Sequence, residues 1–136
     1  MILTDAGPLV AFLDTDDPNH SACMITAQSL PAEPMLTTWP CFAEAMYLLG
    51  AVGGHLYQAE LWQLWKTGRL LLHDLLLAEV QHMLALMEKY RDTPMDLADA
   101  SLLVVAESLS LRRIFSIDRE TEIFISTVWR TARLLR

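Results

Sequence analysis

The sequence predicts an α/β fold in which helices cover both faces of a mostly parallel sheet. Short apolar runs of strand length alternate with amphipathic segments of helical length along the whole chain. This alternation is typical of parallel strands joined by crossover helices. With 136 residues, of which 53% are hydrophobic, the chain is long enough to enclose one sizeable core. We therefore expect residues 1–136 to form a single domain.

The first half of the chain contains two predicted strands, each followed by a helix. The apolar run Met1–Thr4 ends at Asp5, and Pro8 begins a short helix after it. The segment His20–Leu30 is a predicted helix. The second strand is Met35–Thr38, and a new helix starts directly after it.

The second half continues the same alternation. Its predicted elements, in order, are a helix from Trp39 to the glycines at 50–54, helix His55–Lys66, strand Arg69–His73, helix Leu75–Tyr90, helix Pro94–Ser108 and strand Ile114–Ile117. The last of these strands ends at Asp118. Two predicted strands, the first and the last, thus run directly into an aspartate.

Five acidic residues lie where these elements begin or end. Asp5 and Asp118 follow strands, Glu44 is the one charge in its helix, and Asp96 and Asp99 fall in the first turn of another helix. Each aspartate alone is also explained as a helix cap or as a charge that complements the helix dipole. In a parallel sheet, however, four or five of these carboxylates converge at the carboxyl edge of the strands.

A cluster of carboxylates without a basic neighbour repels itself unless divalent cations occupy it. Oxygen ligands alone select Mg²⁺ or Mn²⁺ over zinc. The two cysteines, Cys23 and Cys41, have no metal-binding spacing and are predicted to be buried free thiols. The sequence therefore predicts a Mg²⁺ (or Mn²⁺) site, whose ligands are Asp5, Glu44, Asp96, Asp99 and Asp118.

Four short motifs carry a resemblance to a known family. They are LTDAGPLVAFLD with Asp5, TTWPCFAEAMYLL with Glu44, MDLADASLLVVAES with Asp99, and RRIFSIDRE with Asp118. In their order and spacing they resemble the PIN-domain family, and within it the VapC-type ribonuclease toxins of toxin–antitoxin pairs. Ala6 departs from the hydroxyl residue that many members carry after the first aspartate, whereas Ser116 matches the hydroxyl residue before the last acid.

The resemblance implies a PIN-like α/β/α sandwich and a metal-dependent endoribonuclease. The acidic quartet of the family falls on Asp5, Glu44, Asp99 and Asp118, which are the expected catalytic residues. Asp96 is an additional acid, either a further metal ligand or a helix cap. The resemblance also implies an RNA substrate, a cognate antitoxin protein and a homodimer.

Two other functions remain open from the residues alone. One is a catalytically silent PIN-fold module that binds a partner protein through apolar surfaces such as the one around Trp62 and Trp65. The same two tryptophans are candidates for a dimer interface. The other is a phosphatase, which is disfavoured because Asp5 has no acidic partner two residues later and the two lysines lie far from the acids in sequence.

The charge distribution bears on possible partners. A net charge of −7 argues against broad electrostatic binding to nucleic acid or to an anionic membrane. Six arginines against three acids follow position 111. Arg112, Arg113 and Arg119 are candidates to hold phosphates that flank the site, or else they pair with helix carboxyl termini or with surface acids. No apolar run approaches the ~20 residues that a membrane span needs, so we expect a cytoplasmic protein.

Overall fold

The computed structural model describes residues 1–93 and 95–117 and the backbone of a last strand at 123–127. The helices and strands follow the order β1 Ile2–Thr4, α1 Ala6–Leu13, α2 His20–Gln28, β2 Met35–Thr38, α3 Trp39–Lys66, β3 Leu70–His73, α4 Leu77–Lys89, α5 Leu97–Ser108, β4 Arg113–Ile117 and β5 Ile123–Thr127. The predicted alternation of strands and helices is therefore confirmed.

The five strands form one sheet in the order β3-β2-β1-β4-β5. Strands β1 to β4 are all parallel, and Leu3 in β1 is level with Leu36 on one side and Ile114 on the other. Strand β5 pairs antiparallel to β4. The mostly parallel sheet is confirmed, while β5 is a strand that the sequence analysis missed.

Helices cover both faces of this sheet, because successive side chains of each strand point to opposite sides. Helix α5 packs against Leu3, Leu36 and Ile114 on one face. On the other face, α1 and α2 pack around Phe115, and α1 and α3 pack around Leu70. This is the α/β/α sandwich that the sequence predicts.

Helix α3 consists of two arms, which correspond to the two helices that the sequence predicts before and after the glycines at 50–54. It runs from Trp39 to Lys66 with a kink at Gly54, whose φ of 65° lies in the left-handed region that glycine adopts without strain. A Cβ atom on Gly53 would collide with the ring of Tyr57, so the two arms of α3 approach closely at this point. Gly54 thus ends the first arm, and the second arm begins directly after it, as the sequence predicts.

None of the helices in the described part of the chain is long and apolar enough to cross a membrane.

Candidate metal centre at the carboxyl edge of the sheet

The carboxyl edge of the parallel strands brings together the starts of three helices. Asp5 follows β1 and is level with Thr38, the last residue of the neighbouring strand β2. Thr38 caps α3, which carries Glu44 in its second turn. Asp96 caps α5, which carries Asp99 in its first turn. Four of the five predicted site residues therefore lie at this edge.

The carboxylate of Asp5 is fixed by three donors. Its Oδ1 accepts a hydrogen bond from the backbone N–H of Ala6 at 2.7 Å and a weak one from the thiol of Cys41 at 3.7 Å. Its Oδ2 accepts from the hydroxyl of Ser116 at 3.1 Å. Oδ2, which has one donor, keeps lone-pair capacity for a further ligand. Asp5 is thus both the cap of α1 and a preoriented carboxylate.

A buried pair of hydroxyls joins the start of α3 to the start of α5. Ser101 donates to the carbonyl of Ala98 at 2.7 Å, so Thr38 is the donor in the 2.6 Å bond between the two hydroxyls. The thiol of Cys41 also approaches the Ala98 carbonyl, at 3.9 Å. Since Thr38, Cys41 and Ser101 are fully buried, they set the separation of the helices that carry the acids.

Asp96 and Asp99 bond to each other's backbone at the start of α5. The Oδ1 atom of Asp96 accepts from the N–H of Asp99 at 2.8 Å, and the Oδ2 atom of Asp99 accepts from the N–H of Asp96 at 3.2 Å. This is a reciprocal capping box. Both acids therefore have the structural role that was one of their two predicted explanations, and each has an oxygen left over.

The electrostatics show that the acids act on one another. Burial, and then the charge of Asp96, raise the pKa of Asp99 to about 6. Partial desolvation of its carboxylate, and then the charges of Asp5 and Asp96, raise the pKa of Glu44, although the residue as a whole is exposed. Burial is also the main cause that raises the pKa of Asp5, against its hydrogen bonds. Among the described residues, the neighbours that shift these pKa values are carboxylates and hydrogen-bond donors, and none of them is a lysine or an arginine. The carboxylates thus share a region that disfavours their charge.

The donor chemistry of this edge fits a hard divalent cation. All four acids offer oxygen, and burial raises the pKa of the Cys41 thiol, which stays protonated as a donor to Asp5 and is no metal ligand. Within the described residues no three His, Cys, Asp or Glu side chains are close enough together to hold a metal ion in this conformation. Asp118, the fifth predicted ligand, lies outside the described residues.

The predicted role of two arginines is wrong. Arg113 is the first residue of β4 and Arg112 precedes it, so both lie at the amino edge of the sheet. There they line a cavity of about 260 Å³ together with Met1 and Glu33. The carboxylates lie at the opposite edge, a strand length away. The third predicted arginine, Arg119, is outside the described residues.

Sequence reasoning missed the supporting residues of this edge. Cys23 and Cys41 are buried free thiols as predicted, but nothing in the spacing of Cys41 indicated its contact with Asp5. Thr38 and Ser101 were not predicted as site residues, because two single hydroxyl residues 63 positions apart form no recognisable sequence motif. The position of Thr38 directly before a helix-opening Trp-Pro pair was the one available signal.

Comparison with solved structures identifies the architecture. No family model and no curated protein matches the sequence. The fold is similar to that of VapC20 from Mycobacterium tuberculosis, a sarcin-ricin loop cleaving toxin, with a TM-score of 0.79 at 14% identity over 87% of this chain and 90% of that one. This chain has a PIN-like fold. The family resemblance predicted from the four motifs is confirmed at the level of the fold.

Two further solved structures share the PIN-like fold. A toxin–antitoxin complex from Klebsiella pneumoniae matches with a TM-score of 0.64 at 17% identity, over 89% of each chain. FitAcB from Neisseria gonorrhoeae matches with a TM-score of 0.61 at 19% identity, over 98% of this chain and 94% of that one. In all three comparisons the similarity extends over most of both chains.

Proposed function

We propose that this chain is a Mg²⁺- or Mn²⁺-dependent endoribonuclease and the toxin of a type II toxin–antitoxin pair. The observation that carries the proposal is the placement of Asp5, Glu44, Asp96 and Asp99 at one edge of a PIN-like sheet. Burial raises the pKa of Asp5, Glu44 and Asp99, and repulsion from neighbouring carboxylates raises each pKa further. An arrangement that disfavours its own charge is costly unless a cation binds there.

The proposed catalytic residues are Asp5, Glu44, Asp99 and Asp118. Asp5, fixed by Ala6 N–H and Ser116, serves as the preoriented ligand. Asp99 and Glu44 approach from the starts of α5 and α3, and Asp96 contributes the oxygen that its helix cap leaves free. A bound divalent cation supplies charge neutralisation and an activated water for attack on a phosphodiester.

The names of the structural neighbours support the substrate and the partner. VapC20 is described as cleaving the sarcin-ricin loop, and the Klebsiella protein was solved in a toxin–antitoxin complex. By this similarity we propose an RNA substrate for this chain, a cognate antitoxin as its protein partner and action in the cytoplasm.

Apolar surface supports protein partners as well. Large hydrophobic side chains are exposed on α3 and α4, among them Tyr47, Leu56, Leu77 and Leu84. Such surface is commonly covered by another chain. The homodimer and the antitoxin complex are both proposed on this ground, and so is the alternative function, a catalytically silent module that keeps only the protein contacts.

A cleavage assay decides between the enzyme and the silent module. The purified chain should cut single-stranded or structured RNA with millimolar Mg²⁺ or Mn²⁺ and lose this activity with EDTA. Glu44→Gln is the matched variant, because it removes a charge from an exposed helix position without loss of packing. Cleavage that is equally fast in this variant would show a contaminating nuclease, and no cleavage under any metal condition would favour the silent module.

A further inference from the structure

Trp39 is an exposed aromatic residue at the same edge as the acids. It is the first residue of α3 and directly follows Thr38, which is level with Asp5 in the neighbouring strand. Adjacent strands lie about 5 Å apart, so the backbone of Trp39 is close to that of Asp5. The side chain is 42% exposed, although metal binding requires no apolar ring at this position.

The ring of Trp39 has a defined orientation. It makes an edge-to-face contact with buried Phe42, with ring centroids 5.6 Å apart and an interplanar angle of 83°. Its indole N–H donates to the carboxylate of Asp74 at 3.4 Å. Leu97, the first residue of α5, is a second exposed apolar side chain at this edge. A ring that is already ordered loses little conformational freedom when a ligand stacks on it.

Among the described residues, no lysine or arginine forms an ion pair with Asp5, Glu44, Asp96 or Asp99. Arg112, Arg113 and Arg69 lie at the amino edge of the sheet, at the starts of β4 and β3. Arg91 is paired with Glu88, and Lys89 lies over the ring of Tyr90. Within the described ranges, no lysine or arginine is thus among the residues that shift the pKa of Asp5, Glu44 or Asp99. Stacking on aromatic rings is the main uncharged contribution to binding of single-stranded nucleic acid.

We propose that Trp39 is a stacking site for one unpaired base of the RNA, adjacent to the phosphodiester that is cut. The inference rests on the proposed ribonuclease function and narrows its substrate to RNA that is single-stranded, or can be unpaired, at this nucleotide. Trp39 is a substrate-binding residue here, and the acids perform the chemistry. The carboxylate of Asp74 lies on the indole N–H side and would repel a phosphate, which favours a base as the occupant.

An abasic scan of the substrate tests the stacking site. A short single-stranded RNA that the chain cuts at one place is prepared with an abasic ribose at each position around the cut, and KM and kcat are measured for each. One position should raise KM roughly tenfold in the unsubstituted protein, because the base that is missing there no longer stacks on the ring. In Trp39→Met the intact RNA should show the same rise, and the abasic change should add nothing further.

Two variants keep the test independent of folding. Trp39→Phe retains an aromatic ring and should restore most of the affinity. Met24→Ala removes an apolar side chain of similar exposure, 40%, from α2, which carries none of the acids, and it should leave KM unchanged. Melting curves of all three variants report their folding separately from KM.

The outcomes separate this inference from the proposed function. Absence of RNA cleavage by the unsubstituted protein would overturn both. Cleavage with an abasic effect that persists in Trp39→Met, or with equal effects in Trp39→Met and Met24→Ala, would overturn the stacking site alone. A Trp39→Met protein that cuts normally but no longer self-associates would instead identify Trp39 as a protein contact.

Discussion

In two acidic regions of this protein, the pKa values of the carboxylates are shifted in opposite directions. Glu79, in the first turn of α4, is only 6% exposed, yet its pKa is lowered. Burial alone would raise this pKa, but hydrogen bonds from Leu76 N–H, His73 and Ser108 outweigh it. Both carboxylate oxygens of Glu79 lie 3.0 Å from Nε2 of His73. At the carboxyl edge, burial and like charges raise the pKa of Asp5, Glu44 and Asp99 instead.

The difference separates an acid whose partners lie within the fold from the acids that we propose as metal ligands. Glu79 has its full set of partners inside the chain, so its charge stabilises the native state. The acids of the carboxyl edge have backbone and hydroxyl donors. In the described part of the chain, however, no lysine or arginine lowers their pKa. Perturbed carboxylates of this second kind are typical of functional sites.

The largest expected effect is on activity, from Asp5→Asn. Asparagine keeps the shape and one acceptor oxygen, so the bond from Ala6 N–H survives, but the charge that attracts the cation is lost. RNA cleavage should fall by more than about 100-fold, because even residues that only support a metal ligand cost 10- to 100-fold. Initial rates at saturating Mg²⁺ measure this, alongside a melting curve that should not fall. A variant that unfolds would show that Asp5 is only a structural cap.

The next effect is on stability, from Glu79→Ala. The substitution leaves the Leu76 N–H and His73 without their acceptor, which should lower the free energy of unfolding by about 2–3 kcal/mol. Thermal unfolding should shift down by roughly 10 °C for a domain of this size. Cleavage per folded molecule should be unchanged.

Glu79→Gln is the control, since its amide oxygen still accepts from Leu76 N–H. Because folding lowers the pKa of Glu79, its charged carboxylate stabilises the native state above the ordinary pKa. This stabilisation is lost as the pH falls through the lowered pKa of the folded state. The gap between Glu79 and its Gln variant should therefore close in acid. A gap that stays constant with pH would contradict the charged role of Glu79.

The smallest effect is a gain in stability, from Asp99→Asn in EDTA. The pKa of Asp99 is raised to about 6, so the folded state is penalised as pH rises from the ordinary value of 3.8 through 6. Asparagine removes the charge and keeps the acceptor for Asp96 N–H. The variant should melt about 2–4 °C higher at pH 7.5 and show no gain at pH 4. Asp99→Ala, which loses the acceptor, should be less stable than Asp99→Asn at both pH values.

The sequence predicted the parts of this molecule that repeat along the chain. Strand β2 and its following helix were visible as an apolar run and a Trp-Pro start. The antiparallel strand β5 was missed, although its Ile-Phe-Ile-Ser-Thr run has strand composition, because no glycine, proline or asparagine precedes it as a turn signal after Asp118. The end of the first arm of α3 at Gly54 was also predicted, because glycine adopts this left-handed conformation without strain.

The candidate site was predictable only in part, for a physical reason. Asp5, Glu44, Asp96 and Asp99 could be placed at one edge because parallel topology fixes where strands end and helices begin. Contacts between distant positions, such as Thr38 with Ser101 and Cys41 with Asp5, depend on packing that no local pattern encodes. For the same reason Arg112 and Arg113, close to Asp118 in sequence, were assigned to the wrong edge.

Thermal unfolding with and without a divalent cation tests the central claim most directly. At pH 7.5, Mg²⁺ or Mn²⁺ should raise the melting temperature of the unsubstituted chain in a saturable manner, because an ion bound only by the folded state relieves the repulsion among the edge acids. At 100 times the dissociation constant this linkage amounts to about 2.7 kcal/mol. The shift should be retained in Glu79→Gln and lost in Asp5→Asn. A melting temperature that does not respond to millimolar metal, or responds equally in Asp5→Asn, would contradict the account.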